Sequence, residues 1–121
     1  MARKPYESEF KVIIPRQQKA LNKAVKKMSD RFGGVTIMKV KGAWVNDKGK
    51  TIYDDNYLLL SNRDLNGKSP NIMKFDRKFM EELGMELGKD TGEDEIWVEE
   101  DIIRDVDFLK IPKRKRLKEV V

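Results

Sequence analysis

The side chains that could bind a small ligand lie in the middle third of the chain. They are Trp44, Tyr53, Tyr57 and Arg63. Aromatic rings can wall a pocket or stack on a base, and an arginine can pair with an anionic group. These four residues predict a ligand or enzyme site between a sheet and the polar segment 61–74. Among three functional hypotheses this one ranks third, because it rests on fold analogy.

Basic side chains form a second group. Residues 1–45 hold 11 Lys and Arg against 3 Asp and Glu, and residues 113–118 read KRKRLK. Clustered cations bind phosphates without a sequence signature, so nucleic acid or another polyanion ranks second as a partner. The alternatives are that the lysines of the first helix form an ordinary solvated face, and that the tail either keeps the chain soluble or folds back onto nearby acids. The predicted polyanion-binding residues are Arg16, Lys19, Lys23, Lys26, Lys27, Lys39, Lys41, Lys113, Arg114, Lys115 and Arg116.

Acidic side chains gather in a third group, with 13 Asp and Glu against 4 Lys and Arg in residues 76–109. Residues 54–55, 93–95 and 99–101 are runs of carboxylates, but none has the spacing of a calcium loop. Solvated charge or ion pairing is therefore favoured, and no metal site is predicted. Adjacent residues on a strand point to opposite faces, so Asp54 and Asp55 are not expected to act together.

The missing residue types exclude several chemistries. The 121 residues contain no cysteine and no histidine, which removes disulfides, thiolate nucleophiles and the commonest general base. No phosphate loop, nucleophile elbow or zinc motif is present. We therefore predict no catalytic residues and no cofactor, and we lean against an enzyme. No apolar run reaches the ~20 residues of a membrane span, and no apolar leader opens the chain, so a cytoplasmic location is expected.

Hydrophobic periodicity predicts the elements that would position these groups. Strands are predicted at 9–14, 35–45, 51–60 and 95–99, with helices at 16–31 and 75–87. The order β-α-β-β-α-β is the ferredoxin-like plan, an α+β fold with a four-stranded antiparallel sheet and two helices on one face. Residues 8–100 would form this domain, and residues 101–121 a C-terminal extension with the basic tail.

Several local features carry predictions of their own. Gly33-Gly34 should end the first helix, and the residues between Asn46 and Lys50 should form a hairpin turn. Asp76 is predicted to cap the second helix, after a long polar loop at 61–71. Gly42 is expected to mark a bulge. The residues of the second strand predicted to face the helices are Thr36, Met38, Val40, Gly42 and Trp44.

Residues 32–60 resemble a family of short single-domain proteins of unknown function. In that family a helix ends in Phe-x-Gly, and a Thr-containing strand leads into Gly-x-Trp, a charged turn and an aliphatic strand. A helix and a strand like residues 75–98 close the domain. The resemblance covers roughly residues 8–100 and implies a ferredoxin-like fold, but no reaction. The matching positions are Phe32, Gly34, Thr36, Gly42, Trp44, residues 46–50 and residues 58–60.

The face of the sheet away from the helices requires a partner under this plan. It would carry Val35, Ile37, Lys39, Lys41 and Ala43, a mixed surface of the kind that associates with another chain. The first-ranked hypothesis is therefore a non-enzymatic binding module that acts through self-association, for example as a homodimer, or through another protein. Its predicted interface residues are Ile102, Ile103, Val106 and Phe108.

Overall fold

A computed structural model describes residues 7–103 and contains all six predicted elements. Its sheet has the strand order β2-β3-β1-β4, and every neighbouring pair is antiparallel. The predicted ferredoxin-like α+β fold is therefore confirmed. Neither helix is long and apolar enough to cross a membrane within this part of the chain. The elements are β1 Glu7–Pro15, α1 Gln18–Phe32, β2 Thr36–Val45, β3 Thr51–Asp64, α2 Asn71–Thr91 and β4 Trp97–Ile103.

The core lies between the helices and one face of the sheet, here called the helix face. Every second residue of the central strand β1 is buried, and Phe10, Val12 and Ile14 point to this face. Burying one such side chain contributes about 1.5–3 kcal/mol relative to leaving it exposed. The remaining buried hydrophobic residues are Leu59 of β3, Ala20, Ala24 and Met28 of α1, and Met80, Leu83 and Leu87 of α2.

The predicted orientation of β2 is wrong. Val12 and Ile37 both lie opposite the fully buried Leu59, and residues paired across antiparallel strands point to the same side. Ile37 therefore faces the helices, while Met38 and Trp44 belong to the opposite, open face. The error has a physical cause: β2 is an edge strand that the helices cover only in part, since Ile37 is still 44% exposed. Its two faces consequently have similar sequences.

Two local predictions for this hairpin have different outcomes. The turn forms as expected, with Asn46 accepting hydrogen bonds on its Oδ1 from the backbone N–H groups of Lys48 and Lys50. The bulge expected at Gly42 is absent from the pairing of β2 with β3, whose register runs without interruption. A Cβ at Gly42 would lie 3.6 Å from the side chain of Asn56, which is an ordinary contact.

The first four residues of the polar segment predicted as a loop, 61–64, belong to strand β3. β3 continues to Asp64 because Glu7 and its neighbours in β1 pair with it, which leaves only residues 65–70 between β3 and α2. Ser61 is buried, and its hydroxyl donates to the carbonyl oxygen of Gly34 at 2.7 Å. Polar residues thus lie within a strand here because partners far along the chain satisfy their hydrogen bonds.

Asp76 does not cap α2, which begins five residues earlier at Asn71. Its carboxylate is fully buried and accepts hydrogen bonds from Arg31 Nε at 2.9 Å, Arg63 Nε at 2.8 Å and Arg63 Nη2 at 2.9 Å. The guanidinium groups also lie 5.1 and 5.3 Å from the ring centroids of Phe79 and Phe32, respectively. Hydrogen bonding to Asp76 raises the pKa of Arg63. This Asp76 cluster joins the end of α1, the end of β3 and the start of α2.

Gly84 lets α2 approach β4 closely. A Cβ at this position would lie 2.8 Å from Cγ2 of Val98, well inside van der Waals contact. Glycine costs about 1 kcal/mol relative to alanine within a helix. Close packing of the two elements offsets that cost, which explains a glycine in the middle of α2.

Replacing the buried carboxylate should destabilise the domain strongly. We expect Asp76→Ala to lower the free energy of unfolding by about 3–5 kcal/mol, because it leaves two partly buried guanidinium groups without their partner. Asp30→Ala is the matched control, since within the described part of the chain Asp30 pairs only with Lys26 on the surface of α1, and it should cost below about 0.5 kcal/mol. Urea unfolding followed by circular dichroism measures the free energy of unfolding of both variants. Equally small losses in the two would contradict the role of Asp76 as the buried partner of the two arginines.

The packing of Gly84 can be tested by a double-mutant cycle. Gly84→Ala should destabilise the protein by about 1–3 kcal/mol, because the added methyl group overlaps Val98. In a Val98→Ala background the same change should stabilise by up to about 1 kcal/mol, because only the helix propensity remains. Gly34→Ala is a control, since no atom lies within 4 Å of its Cβ position. An identical effect of Gly84→Ala in both backgrounds would refute the contact.

Candidate functional site: an aromatic and acidic pocket at the end of the sheet

The hairpin of β2 and β3 extends beyond the rest of the sheet. β3 begins at Thr51, but it pairs with β1 only from Asn56 onward, because β1 ends opposite that residue at Pro15. Within residues 7–103, residues 41–45 and 51–55 therefore form strand pairs only with each other, although the Arg16 N–H also donates to the carbonyl oxygen of Asp55 at 3.3 Å. This two-stranded ribbon leaves a step at the end of the sheet, beside the residues that lead into β4.

A cavity of about 570 Å³, here called the end pocket, occupies this step. Small-molecule sites in proteins commonly measure roughly 300–1,000 Å³. Three parts of the chain meet around the cavity: the end of β1, the ribbon formed by β2 and β3, and residues 93–97 at the start of β4. The lining residues are Ile13, Pro15, Trp44, Tyr53, Asp54, Asp55, Asn56, Glu93, Glu95, Ile96 and Trp97.

The aromatic rings of the end pocket are unusually exposed. Trp44 is 51% exposed, Trp97 61% and Tyr53 67%. Large aromatic side chains normally bury most of their area, so exposed rings at one cavity are typical of a binding surface. Trp44 and Trp97 lie on the open face of the sheet, whereas Tyr53 lies on the helix face of the ribbon. Such rings can stack on a planar base or lie against a cation.

The charge of the end pocket is opposite to that of the whole chain. Among residues 7–103 its lining includes four carboxylates, Asp54, Asp55, Glu93 and Glu95, and neither lysine nor arginine. Asp54 accepts a hydrogen bond on Oδ2 from the indole Nε1 of Trp44 at 2.9 Å, which orients that ring. Lys41, outside the lining, lies 3.9 Å from Asp55, and both side chains are more than half exposed. The pocket is therefore locally negative on a chain of net charge +5.

The structure brings together two of the four predicted pocket residues. Trp44 and Tyr53 line the end pocket, whereas Tyr57 is half-buried against the core on the helix face. Arg63 lies ten residues farther along β3 than Tyr53, roughly 33 Å away at the usual strand rise, and binds Asp76. The segment 61–74 is thus at the opposite end of the sheet from the pocket. Asp54 and Asp55 both line this cavity, while the regular register of β3 points their side chains to opposite faces.

The lysines of α1 stabilise the helix pair. Lys23 Nζ lies 2.7 Å from Asp90 and Lys27 Nζ lies 2.8 Å from Glu86, both on α2. These hydrogen bonds raise the pKa of Lys23 and lower the pKa of Asp90 and of Glu86. Lys26 pairs with Asp30 within α1 at 2.9 Å. The predicted phosphate-binding stripe is thus largely neutralised by acids on the same surface.

The other predicted basic residues have separate positions. Arg16 donates from Nε to the backbone oxygen of Asn56 at 3.3 Å and lies over the ring of Tyr57. Lys19 is an exposed residue of α1, and Lys39 belongs to the edge strand β2. Residues 113–116 of the basic tail lie outside the described range.

Half of the predicted interface can be placed. Ile102 is 38% exposed in β4, and Ile103 is the last residue of that strand. β4 therefore continues past residue 101, where the C-terminal extension was predicted to begin. Val106 and Phe108 lie outside the described residues. Association with a second copy or another protein stays a prediction.

The acidic and aromatic residues at the start of β4 are absent from the predicted pocket. Their sequence pattern places Trp97 at the centre of a short strand and favours solvated charge for Glu93 and Glu95. One signal was available: in the predicted topology, the end of β1 and the start of β4 meet at the same end of the sheet. That adjacency places the acidic residues 93–95 and Trp97 beside the hairpin of β2 and β3.

No protein-family model matches the chain, and no curated protein is similar to it in sequence. Solved structures do match. A phage SAM lyase in complex with S-methyl-5′-thioadenosine aligns with a TM-score of 0.59 and 14% identity, covering 84% of this chain and 85% of that one. A phage SAM lyase in its apo state aligns with a TM-score of 0.56 and 15% identity, covering 98% of each chain. At this identity the likeness concerns the fold.

These matches correct the first-ranked functional hypothesis. The sequence favours a non-enzymatic binding module, and this interpretation is wrong. Solved structures that share the fold are of a lyase, and one of them holds a small nucleoside ligand. The end pocket also gives the chain a cavity suited to a small molecule.

The local charge of the end pocket can be measured with fluorescence quenchers. The chain has two tryptophans, Trp44 and Trp97, and both line this cavity. With each quencher's effect expressed relative to its effect on free N-acetyltryptophanamide, we expect caesium to quench their emission more strongly than iodide, because the lining carboxylates attract cations. Neutral acrylamide reports the accessibility of the rings. Asp54→Asn with Glu95→Gln should narrow the difference, whereas Glu82→Gln on exposed α2 should not. Stronger quenching by iodide, as the net charge of +5 alone would favour, would contradict the pocket's negative potential.

Proposed function

We propose that this chain binds S-adenosyl-L-methionine in the end pocket and cleaves it, releasing S-methyl-5′-thioadenosine. The observation that carries the proposal is the pocket's lining, in which exposed aromatic rings and carboxylates converge on one cavity. The proposal is further supported by the fold, which is similar to that of a phage SAM lyase with S-methyl-5′-thioadenosine bound.

The base, the ribose and the sulfonium of the substrate each have a chemical match in the lining. The adenine ring can stack on an exposed indole of Trp44 or Trp97, a contact worth about 1–3 kcal/mol per base. The ribose hydroxyl groups can donate to carboxylates, as they do to acidic residues in dinucleotide-binding folds. The positive sulfonium is attracted to aromatic faces and to the same carboxylates. The described lining offers no cation to repel it.

The reaction fits a site without histidine or cysteine. Release of S-methyl-5′-thioadenosine requires the bond between sulfur and the γ-carbon of the amino-acid part to break. An oxygen of the substrate's own carboxylate can form the new bond to that carbon, so that the amino-acid part leaves as a five-membered lactone. The bonding electron pair stays on sulfur, which changes from a positive sulfonium to a neutral thioether. Such a leaving group needs no general acid. The protein's contribution is then to bind the substrate and hold it in a reactive geometry, which accelerates a reaction without a nucleophilic side chain.

The proposal is tested by incubating the purified chain with S-adenosyl-L-methionine and separating the products by chromatography. Wild-type protein should release S-methyl-5′-thioadenosine faster than the spontaneous rate. Trp97→Ala and Trp44→Ala should weaken binding by about 5- to 150-fold, the range that corresponds to the loss of one stacking contact.

Phe75→Ala is the matched control, because Phe75 is an exposed aromatic residue of α2 outside the pocket. It should leave both binding and product formation unchanged. If neither product nor any change in tryptophan emission is observed with wild-type protein, the proposed function is wrong. If Phe75→Ala is as impaired as the tryptophan variants, the end pocket is not the site.

A further inference from the structure

We infer that the carboxylates of the end pocket distinguish the charged sulfonium substrate from the neutral thioether product, and that they act in binding and not in the bond-breaking step. This inference rests on the proposed function and assigns a specificity role within the same site. It follows from three features considered together: the cavity, its exposed aromatic rings and its uniform sign of charge.

The rings and acids of the pocket determine what it can recognise. Aromatic rings that surround a small cavity bind organic cations through their negative faces, and nearby carboxylates strengthen that attraction. Trp44 and Trp97 each leave half or more of their surface exposed, so their faces are available to a ligand. The hydrogen bond from the Trp44 indole to Asp54 holds a carboxylate beside one of these rings. This pairing suits a methylated cation better than a neutral thioether.

The charges that line the pocket all have the same sign. Asp54, Glu93 and Glu95 line it, and the described lining contains no basic residue to balance them. Asp55 is partly compensated by Lys41 at 3.9 Å, so it should contribute least. Because opposite charges attract across a partly desolvated cavity, the sulfonium gains a favourable interaction that a neutral sulfur lacks. Loss of the ligand's positive charge should therefore weaken its binding measurably.

The bond-breaking step gains nothing from these carboxylates. Cleavage disperses the positive charge of sulfur, so a negative environment stabilises the bound substrate more than the transition state. An interaction that is stronger in the ground state improves binding without accelerating the chemical step. The carboxylates should therefore lower KM and leave kcat unchanged or slightly reduced. They also favour departure of the neutral thioether, because the attraction ends when the bond breaks.

Binding selectivity is measured by calorimetric titration with compounds that the protein cannot cleave quickly or at all. One is S-adenosylhomocysteine, which lacks only the methyl group and the positive charge on sulfur. The other is the nitrogen analogue of the substrate, in which a protonated amine replaces the sulfonium. We expect the charged analogue to bind at least about tenfold more tightly, equal to ~1.4 kcal/mol. The preference should shrink as salt shortens the screening length from about 10 Å at 0.1 M to about 3 Å at 1 M.

The variants Asp54→Asn and Glu95→Gln remove charge and preserve shape, and the asparagine amide oxygen still offers an acceptor to the indole of Trp44. Each variant should reduce the preference for the charged analogue and raise KM without lowering kcat. Glu82→Gln on α2 should leave the preference, KM and kcat unchanged. Equal affinity of the wild type for the two ligands would overturn this inference and leave the proposed function standing. A fall in kcat at unchanged KM would also overturn it. If neither compound nor S-adenosyl-L-methionine binds, the proposed function itself fails.

Discussion

Pro15 ends β1 five residues before its neighbour β3 reaches the hairpin turn, and the candidate site follows from that mismatch. A proline has no backbone N–H to donate, so it interrupts the hydrogen-bond ladder of a strand. Just beyond it the Arg16 N–H still donates to the carbonyl oxygen of Asp55, and within residues 7–103 the rest of the ribbon, residues 41–45 and 51–54, has no third strand beside it. Because β4 begins beside the end of β1, the ribbon and the start of β4 enclose a cavity.

The opposite end of β3 is fixed by a different interaction. The buried carboxylate of Asp76 binds two arginines, one from the end of α1 and one from β3, and the rings of Phe32 and Phe79 pack against them. Buried charges persist only when they are paired and hydrogen-bonded. This end of the domain is therefore satisfied within the chain, whereas the pocket end exposes aromatic rings and carboxylates. The two ends of the sheet therefore differ, and the exposed aromatic rings and carboxylates lie at the pocket end.

The fold could be predicted from the sequence because its signals are local. Alternation in β1, the apolar stripe of α1 and the turn chemistry of residues 46–50 each depend on near neighbours. The face of β2, the length of β3 and the position of Asp76 depend on distant partners, such as Leu59, Glu7 and Arg31. The site is harder to predict from the sequence than the fold is, because the ribbon and the start of β4 are brought together only by the strand register. The runs at residues 54–55 and 93–95, each taken alone, do not indicate that both line the same cavity.

A crystal structure of this chain grown with S-methyl-5′-thioadenosine would locate the ligand site. If that site is the step at the end of the sheet, electron density for the nucleoside should lie between Trp44 and Trp97, within hydrogen-bond distance of the lining carboxylates. Density for the nucleoside elsewhere, for example beside Asp76, with the end pocket filled only by solvent, would show that the ligand site lies outside this step.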